Sequence, residues 1–242
     1  MAQLLIDADI LVYKAIAATE TETEWETDLW TVTSDLNEAH AILDQSIEAL
    51  ISSGSFAPPP VFCFSDVENF RKDINPTYKM NRVKQRKPIG FKAFRQQAVE
   101  RLNGVTKPKL EADDVIGILA TKPDADFVIW SEDKDLMQIP GWHLIDGSLV
   151  LVGKSEGAHL HMMQTLTGDP VDGYTGIPGI GKVKAEAILK DADDPWAAIV
   201  KAYEKAGLDE NEALLQARMA RILQWSDWDK EKQEVILWTP NK

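Results

Sequence analysis

The stretch Leu4-Leu5-Ile6-Asp7-Ala8-Asp9 decides the fold, because a short apolar run passes directly into two carboxylates. Its first three residues predict a buried strand, and a helical pattern begins at Ile10. Two later apolar runs, 61–64 and 127–130, have the same form: Ser65-Asp66 follows the first, and Ser131-Glu132-Asp133-Lys134-Asp135 follows the second. One acid near one strand end is expected by chance, but the same arrangement at three strand ends indicates a functional site.

Helical and hairpin patterns lie between and beyond these strands. Apolar residues recur at three- and four-residue spacing over 36–50, which predicts an amphipathic helix that begins near Ser34 or Asp35. Residues 143–145 and 149–152, joined by Asp146-Gly147, predict a hairpin. Strands that alternate with helices predict an α/β fold with a mostly parallel central sheet and helices on both faces. The acids should then lie together beyond the carboxyl ends of the strands.

The composition changes near residue 155, and this change predicts two units. Residues 1–155 carry the strands and form the sheet core, while residues 156–242 form a helical region packed on that core. Within the second unit, helical patterns cover 182–190, 195–206 and 210–225. Residues 71–90 lack regular apolar periodicity, and we expect them to leave the sheet as a basic excursion.

Charge is distributed very unevenly along the chain. The 242 residues carry a formal net charge of −13, yet residues 71–109 hold twelve Lys and Arg against two acids, a local charge of +10. A basic strip on an acidic body is typical of a protein that binds a polyanion at one place and repels it elsewhere. A solvated positive face without a ligand is the alternative that charge alone leaves open.

Several classes of protein are excluded by the same sequence. The longest apolar stretches fall far short of the roughly 20 residues that a membrane span needs. Asp7 and Asp9 interrupt the only candidate for a signal peptide, so we expect a cytoplasmic protein with no membrane contact. The single Cys63 lies in an apolar run and is interpreted as a buried hydrophobe, because one cysteine provides neither a disulfide framework nor a zinc signature.

Three acids crowd the start of another predicted helix, in Glu111-Ala112-Asp113-Asp114. Acids at a helix N-terminus complement the helix dipole, each contributing about 0.3–1 kcal/mol, but three in four residues exceed that need. If this helix packs beside the strand ends, at least seven carboxylates converge and repel one another unless cations neutralise them. Oxygen ligands of this kind select hard ions, Mg²⁺ or Mn²⁺.

A glycine-rich segment follows two further acids, Asp169 and Asp172, in the second unit. Gly176, Gly181 and Lys182 match the start of a nucleotide-binding P-loop, but Val183 occupies the position where Ser or Thr should hold magnesium. A turn between two helices is the better interpretation, in which Gly179 and Gly181 let the backbone approach a DNA phosphate or a bound monovalent ion.

Taken in order, these motifs resemble the 5′ nucleases of the flap-endonuclease superfamily, and most of all the compact 5′-3′ exonucleases of short-tailed bacteriophages. The motifs are Ile6 to Asp9, Phe64 to Asp66, Glu111 to Asp114, Ser131 to Asp135, and Gly168 to Gly173 followed by Gly176 to Gly181. Asn69 to Lys72, Pro76 to Arg82, and the closing segments 217–223 and 236–238 extend the resemblance over nearly the whole chain. Each motif alone is weak, but five in a fixed order are specific.

The resemblance implies a PIN-like nuclease core with a basic arch at about 71–90, and a helix-two-turns-helix element in the C-terminal region. It also implies two Mg²⁺ ions, for which Mn²⁺ substitutes, and one K⁺ at the helix-two-turns-helix. One Mg²⁺ is expected at Asp7, Asp66, Glu111, Asp113 and Asp114, and the other at Asp133, Asp135, Asp169 and Asp172. Asp9 lies where many superfamily members have a neutral residue, so no ligand role is assigned to it.

Catalytic roles implied by the resemblance fall to Lys79 and Arg82, which would reach the scissile phosphate from the arch, together with Asp7 and Asp114. The expected DNA contacts are Arg71, Tyr78, Lys79, Arg82, Lys84, Arg86, Lys87, Gly179, Gly181 and Lys182.

The resulting prediction is a metal-dependent 5′-3′ exonuclease that hydrolyses duplex DNA from its 5′ end without a nucleotide cofactor. Activity on 5′ flaps, RNase H-type activity on RNA–DNA hybrids, and a role in phage DNA replication and primer removal in the host cytoplasm complete the expectation. The alternative is a structure-specific DNA-binding protein of the same fold that does not cleave. A P-loop phosphotransferase is a third interpretation, which Val183 disfavours.

Overall fold

A computed structural model describes residues 1–240 of the chain, apart from the side chain of Val83. In chain order, the first half contains β1 (Gln3–Asp7), α1 (Ala8–Ala18), β2 (Glu20–Glu26), β3 (Leu29–Ser34), α2 (Leu36–Ser52), β4 (Ala57–Cys63), α3 (Phe70–Ile74), α4 (Phe91–Arg101) and α5 (Ala112–Ala120). The second half contains β5 (Phe127–Trp130), β6 (Gly141–Ile145), β7 (Ser148–Val152), α6 (Lys154–Thr167), α7 (Lys182–Leu189), α8 (Pro195–Lys205), α9 (Glu210–Ala220), β8 (Trp228–Asp229) and β9 (Glu234–Val235). Short 3₁₀ helices lie at Met80–Lys84, Lys134–Gln138 and Trp225–Asp227.

The central sheet has five strands in the order β4-β1-β5-β6-β7. β1 pairs in parallel with β4 and β5, β5 pairs in parallel with β6, and only β7 runs antiparallel. The predicted α/β fold with a mostly parallel sheet is therefore confirmed. Because β1, β4 and β5 run in the same direction, the acids that follow them lie at one edge.

Helices cover both faces of this sheet, as predicted. Leu4 and Ile6 of β1 point to the face covered by α1, α2 and α4, whereas Leu5 points to the face covered by α5. All three side chains are fully buried, which is typical of a central parallel strand. The carboxylate of Asp35 accepts hydrogen bonds from two backbone N–H groups at the start of α2, so this helix begins where the sequence predicts.

A two-stranded hairpin, formed by β2 and β3, was not predicted between α1 and α2. β2 alternates Glu and Thr over its first five residues, and most side chains of both strands are exposed. The apolar alternation that identifies a half-buried strand is therefore missing.

The helix predicted over 210–225 is too long, because α9 ends at Ala220. Beyond it the backbone crosses α5 so closely that a Cβ at Gly117 would collide with the carbonyl oxygen of Leu223. Ile222, Leu223 and Trp228 then complete the apolar cluster on the α5 face of the sheet. The C-terminal tail is thus part of the core of the first unit.

Helices α6 to α9 form a further apolar cluster centred on Leu166, Ile199 and Tyr203. Within residues 1–240, none of the helices combines the length and the apolar character that a membrane crossing requires.

Candidate active site

A cavity of about 950 Å³ opens where β1, β4 and β5 end. Seven of its lining residues are acidic, namely Asp7, Asp9, Asp66, Glu100, Glu111, Asp113 and Asp133. Five are basic, namely Lys79, Arg82, Lys87, Lys92 and Arg95. Both signs of charge therefore face the same space, as a site for a polyanion and its counter-cations requires.

Asp7 lies at the end of β1 and is partly buried. One carboxylate oxygen, Oδ2, accepts a hydrogen bond from the Ser131 hydroxyl at 2.9 Å. The other, Oδ1, is buried and has no hydrogen-bond partner among the described residues. Burial, together with the nearby charges of Asp9 and Asp133, raises the pKa of Asp7 to about 7. A buried carboxylate oxygen without a partner is costly, and a bound cation would satisfy it.

The start of α5 brings three more carboxylates together. Glu111, Asp113 and Asp114 each offer an oxygen, and these oxygens lie within 4.8 Å of one another. Burial and the charges of Asp114 and Glu111 raise the pKa of Asp113 well above its usual range. Although burial opposes ionisation of Glu111, the charges of Lys79 and Arg71 lower its pKa to about 2. The group therefore holds ionised and proton-binding carboxyls side by side.

Arg71 lies beneath this group and is 2% exposed. Its guanidinium donates to both carboxylate oxygens of Asp114, at 2.6 and 2.8 Å, and to the backbone carbonyls of Met219 and Arg221 at 3.1 and 2.6 Å. This side chain is buried inside the protein, and the contact of Arg71 with DNA stays a prediction. Asp114 is also fully buried and does not line the cavity. Both of its carboxylate oxygens accept hydrogen bonds from Arg71.

Tyr78 and Lys79 connect the α5 carboxylates to the segment between α6 and α7. The Tyr78 hydroxyl lies 2.7 Å from Glu111 and 3.3 Å from Asp172. Tyr78 is 2% exposed, and its contact with DNA stays a prediction. The Lys79 ammonium pairs with Glu111 and lies 3.4 Å from Asp172. Lys79 has a φ of 54°, a left-handed conformation that is unusual for lysine and that is concentrated at functional sites.

Loop geometry holds this connection in place. The backbone N–H of Lys79 donates to the carbonyl of Asp172 at 2.9 Å. At Gly173, where φ is +80°, an added Cβ would lie 3.1 Å from the carbonyl oxygen of Thr77. Arg82 pairs with Asp172 and keeps a half-exposed side chain at the cavity. The loop after α6 and the start of the basic segment are thus in direct contact.

The second group of predicted carboxylates comprises Asp133, Asp135, Asp169 and Asp172. Burial and the charges of the other three raise the pKa of Asp135 to about 6. Burial also raises the pKa of Asp172. Among residues 1–240, only the group at α5 brings three potential ligand oxygens within 4.8 Å of one another.

Two acids near the strand ends are held by the backbone. Asp66 accepts N–H groups from Val67 and Lys109, both at 2.7 Å, and lines the cavity. Asp9 accepts the Ser65 N–H at 2.7 Å and the Arg95 Nε at 2.9 Å. Asp9 therefore fixes the end of β4 and the side of α4 at the cavity.

Basic residues of the arch have different environments. Lys84 is exposed on the Met80–Lys84 turn, and Lys87 lies 4.7 Å from the ring centre of Phe91. Arg86 pairs with Glu20 of the hairpin, so it does not extend freely into solvent.

Lys92 and Arg95 of α4 line the cavity but were not predicted. Their spacing of three residues on a helix was the signal that could have identified them.

The glycine segment lies outside the cavity. Gly168 and Gly176 approach each other so closely that a Cβ on either would collide with backbone. Gly179, Gly181 and Lys182 are exposed, and nothing lies within 4 Å of a Cβ built at either glycine. The segment connects α6 to α7 without a preceding strand, which disfavours the P-loop interpretation.

These residues fit a divalent cation. The donors at the strand ends and at α5 are carboxylate oxygens, one of them the buried Oδ1 of Asp7 that lacks a partner. Hard cations prefer such oxygens, and a positive charge would offset the burial and the repulsion that together raise the pKa values of Asp7 and Asp113.

Comparisons with known proteins agree with this geometry. A family model described as "5′-3′ exonuclease, N-terminal resolvase-like domain" matches residues 2–159. An exodeoxyribonuclease of Enterobacteria phage T3 is 33% identical, over 98% of this chain and 92% of the phage protein. An exonuclease of Escherichia phage T7 is 31% identical, over 98% of this chain and 93% of its own length.

The fold is also similar to a solved structure. A flap endonuclease of bacteriophage T5, in a pseudo-enzyme-product complex with DNA and metal ions, matches with a TM-score of 0.57. The match covers 91% of this chain and 90% of the T5 chain at 15% identity, and it shows the fold alone. Since the family model spans well over half of the chain, and the T3 protein is similar over almost all of it, the chain belongs to the family of 5′-3′ exonucleases with an N-terminal resolvase-like domain.

Proposed function

We propose that this protein is a divalent-metal-dependent 5′-3′ exonuclease that hydrolyses phosphodiester bonds of duplex DNA from the 5′ end. The observation that carries the proposal is the unpartnered Oδ1 of Asp7, buried beside other carboxylates in a cavity that also presents Lys79 and Arg82. Full-length similarity to phage exonucleases supports the reaction class. The charged cavity supports a phosphodiester substrate.

Two groups of carboxylates would hold two Mg²⁺ ions, with Mn²⁺ as a substitute. One group comprises Asp7, Asp66, Glu111 and Asp113, and the other comprises Asp133, Asp135, Asp169 and Asp172. When bound, such ions activate water and stabilise charge on the oxygens of the phosphate. Asp114, which has both oxygens on Arg71, would act by holding the guanidinium beneath the site.

Lys79 and Arg82 would donate hydrogen bonds to the phosphoryl oxygens as negative charge develops on them. Both now pair with acids that belong to the proposed ion sites, Glu111 and Asp172. Cations bound at those acids would compete with the two side chains for the carboxylates. Lys79 and Arg82 would then be available to the phosphate at the same cavity.

The wider substrate is also part of the proposal. Gly179, Gly181 and Lys182 would contact the phosphate backbone of duplex DNA away from the cut, with one K⁺ at this turn. Lys84, Arg86 and Lys87 would contact the strand near its 5′ end. We extend the proposal to 5′ flaps and RNA–DNA hybrids, and to phage DNA replication and primer removal in the host cytoplasm.

The test compares Lys79→Ala with Lys84→Ala, which removes the same charge from an exposed position on the same segment. In single-turnover cleavage of a 5′-labelled duplex with Mg²⁺, Lys79→Ala should lower the rate at least about 100-fold at saturating enzyme. Lys84→Ala should weaken binding and leave the saturated rate close to that of the wild type. Resolved product lengths report whether cleavage starts at the 5′ end.

Two results would contradict the proposal. Equal losses of rate and affinity for Lys79→Ala would reduce Lys79 to a general phosphate contact. Duplex binding without cleavage at any Mg²⁺ or Mn²⁺ concentration would favour the alternative, a structure-specific DNA-binding protein that does not cleave.

A further inference from the structure

Asp9 differs from the other acids at the strand ends because both of its carboxylate oxygens are occupied. Oδ2 accepts the backbone N–H of Ser65 at 2.7 Å, and Oδ1 accepts the Nε–H of Arg95 at 2.9 Å. A guanidinium at this distance also opposes the approach of a cation. Asp7, two residues earlier, has instead a buried oxygen without a partner among the described residues. The contacts of Asp9 therefore favour a role in holding Arg95 over a role as a metal ligand.

Arg95 is held by three contacts within the cavity wall. Its Nε donates to Asp9, its Nη2 donates to the backbone carbonyl of Ser65, and its Cζ lies 5.5 Å from the ring centre of Phe64. Phe64 is fully buried, so its ring offers the guanidinium a packed surface. Ordering a long side chain costs free energy when a ligand binds, and these contacts meet that cost before binding. The guanidinium is therefore preorganised.

Most of the hydrogen-bonding capacity of Arg95 is still available for a ligand. A guanidinium side chain has five N–H groups, and the contacts with Asp9 and Ser65 use two of them. Within residues 1–240, neither N–H of Nη1 has an acceptor. The side chain is 22% exposed and lines the cavity, as does Lys92 one helical turn earlier. The planar fork of arginine matches the oxygens of a phosphate group.

We propose that Arg95, positioned by Asp9, binds a phosphate of the cleaved strand that neighbours the scissile phosphate. The inference rests on the proposed function, in which Lys79 and Arg82 contact the scissile phosphate in the same cavity. A strand that passes through this cavity presents more than one phosphate to its walls, because successive phosphates are separated by a single nucleotide. Arg95 thus aligns the strand, and Asp9 is a positioning residue that acts through Arg95.

The first test pairs Arg95→Gln with Arg101→Gln, which removes the same charge from the same helix. Arg101 pairs with Asp44 and does not line the cavity. Duplex affinity is measured by fluorescence anisotropy in Ca²⁺. Arg95→Gln should raise the dissociation constant at least about tenfold, because charged hydrogen bonds to a phosphate are lost. Arg101→Gln should change it by less than about threefold, because solvent and salt screen a distant exposed charge.

The cleavage rate separates alignment from transition-state stabilisation. In single-turnover reactions with Mg²⁺ at saturating enzyme, Arg95→Gln should keep the rate within about threefold of the wild type, since Lys79 and Arg82 are unchanged. A large loss of the saturated rate with unchanged affinity would overturn the proposal, because it would give Arg95 a role in the chemical step.

A set of duplexes identifies the phosphate that Arg95 contacts. Each duplex carries one uncharged methylphosphonate in place of a phosphate near the 5′ end. At one position next to the scissile phosphate, the replacement should weaken binding of the wild type and have little effect on Arg95→Gln. A partly unfolded variant loses affinity for every duplex alike, so a position-specific effect reports a contact. An equal loss of affinity at every position would overturn the proposal.

The role of Asp9 is tested in two backgrounds. An amide offers one acceptor oxygen, so Asp9→Asn cannot accept from both the Ser65 N–H and the Arg95 Nε–H in their present arrangement. Asp9→Asn should weaken duplex binding in the wild type. In the Arg95→Gln background it should not weaken binding, because no guanidinium is left to position. A loss of equal size in both backgrounds would assign Asp9 to the metal or to the fold and overturn its positioning role.

Failure of this inference is distinguishable from failure of the proposed function. Binding in Ca²⁺ does not depend on cleavage. A wild type that binds duplex and does not cleave it with Mg²⁺ or Mn²⁺ would contradict the proposed function, while coupling of Arg95 to one phosphate would still support the inference. Normal cleavage by the wild type without any such coupling would overturn the inference alone.

Discussion

Arg71 and Asp114 form the most buried ion pair of the site, with side chains 2% and 0% exposed. The guanidinium joins three parts of the chain, because it starts from α3, binds the first turn of α5 and reaches the carbonyls that end α9. Removal of one partner from a buried ion pair leaves an uncompensated charge. The pair therefore makes the geometry of the α5 carboxylates depend on a residue of the basic segment.

Asp114→Asn should lower the free energy of unfolding by about 3–5 kcal/mol, since Arg71 loses its charged partner while it stays buried. Urea denaturation in EDTA measures this change without a contribution from bound metal. Asp113→Asn is the matched control, two positions away from Glu111 and in the same turn.

The control should behave in the opposite way. Burial and the charges of Asp114 and Glu111 raise the pKa of Asp113, so its ionised form costs stability at neutral pH. Asp113→Asn removes that cost, and stability in EDTA should be unchanged or higher, while metal-dependent cleavage is lost. Equal destabilisation by the two substitutions would contradict the distinction between them.

The sequence was sufficient to place the acids near each other, because strand direction alone brings Asp7, Asp66 and Asp133 to one edge. It could not show what each acid contacts. Arg71 meets Asp114 across 43 residues and Met219 across 148, and no local pattern encodes such contacts. The ligand and DNA roles of the individual residues stay predictions.

At the scale of elements, the hairpin of β2 and β3 has a specific contact with the basic segment. Glu20 pairs with Arg86 and also accepts the backbone N–H of Ile89 at 2.9 Å. Glu20 of the hairpin thus pairs with Arg86, a residue that is expected to contact DNA.

Glu20→Gln should increase duplex affinity at low salt, because Arg86 becomes free to contact a phosphate. Fluorescence anisotropy with a labelled duplex in Ca²⁺ measures the binding. In an Arg86→Gln background the same substitution should have a much smaller effect. An equal gain in both backgrounds would indicate a general charge effect.

Elements with a clear apolar period were predictable, and those without one were not. The helix α2 and the strands β1 and β5 follow their patterns closely. The hairpin was not predicted because side chains on both of its faces are exposed to solvent. The end of α9 was not predicted because no local sequence signal marks it. The chain turns there to pass close to Gly117.

For the molecule as a whole, the division into two units near residue 155 stays a prediction. The C-terminal tail packs against the sheet, so the first unit depends on residues of the second. Ile222, Leu223 and Trp228 belong to the apolar cluster on the α5 face. Residues 1–155 alone would expose that cluster and would leave Arg71 without two of its carbonyl partners.

A fragment of residues 1–155 should therefore fail to form a well-packed fold. We expect strong binding of the dye ANS and no cooperative thermal transition, in contrast to the full chain. Circular dichroism and ANS fluorescence check this expectation. A cooperative transition in the fragment would show that the tail is dispensable for the core.

Synthesis of the chain on the ribosome gives the position of Arg71 a further meaning. Translation delivers β1 first, but β1 lies between β4 and β5 and must wait for both. The guanidinium beneath α5 then waits for the carbonyls of Met219 and Arg221, which are synthesised 148 and 150 residues after Arg71. The surroundings of the α5 carboxylates are therefore completed only after the segment that ends α9 has left the ribosome.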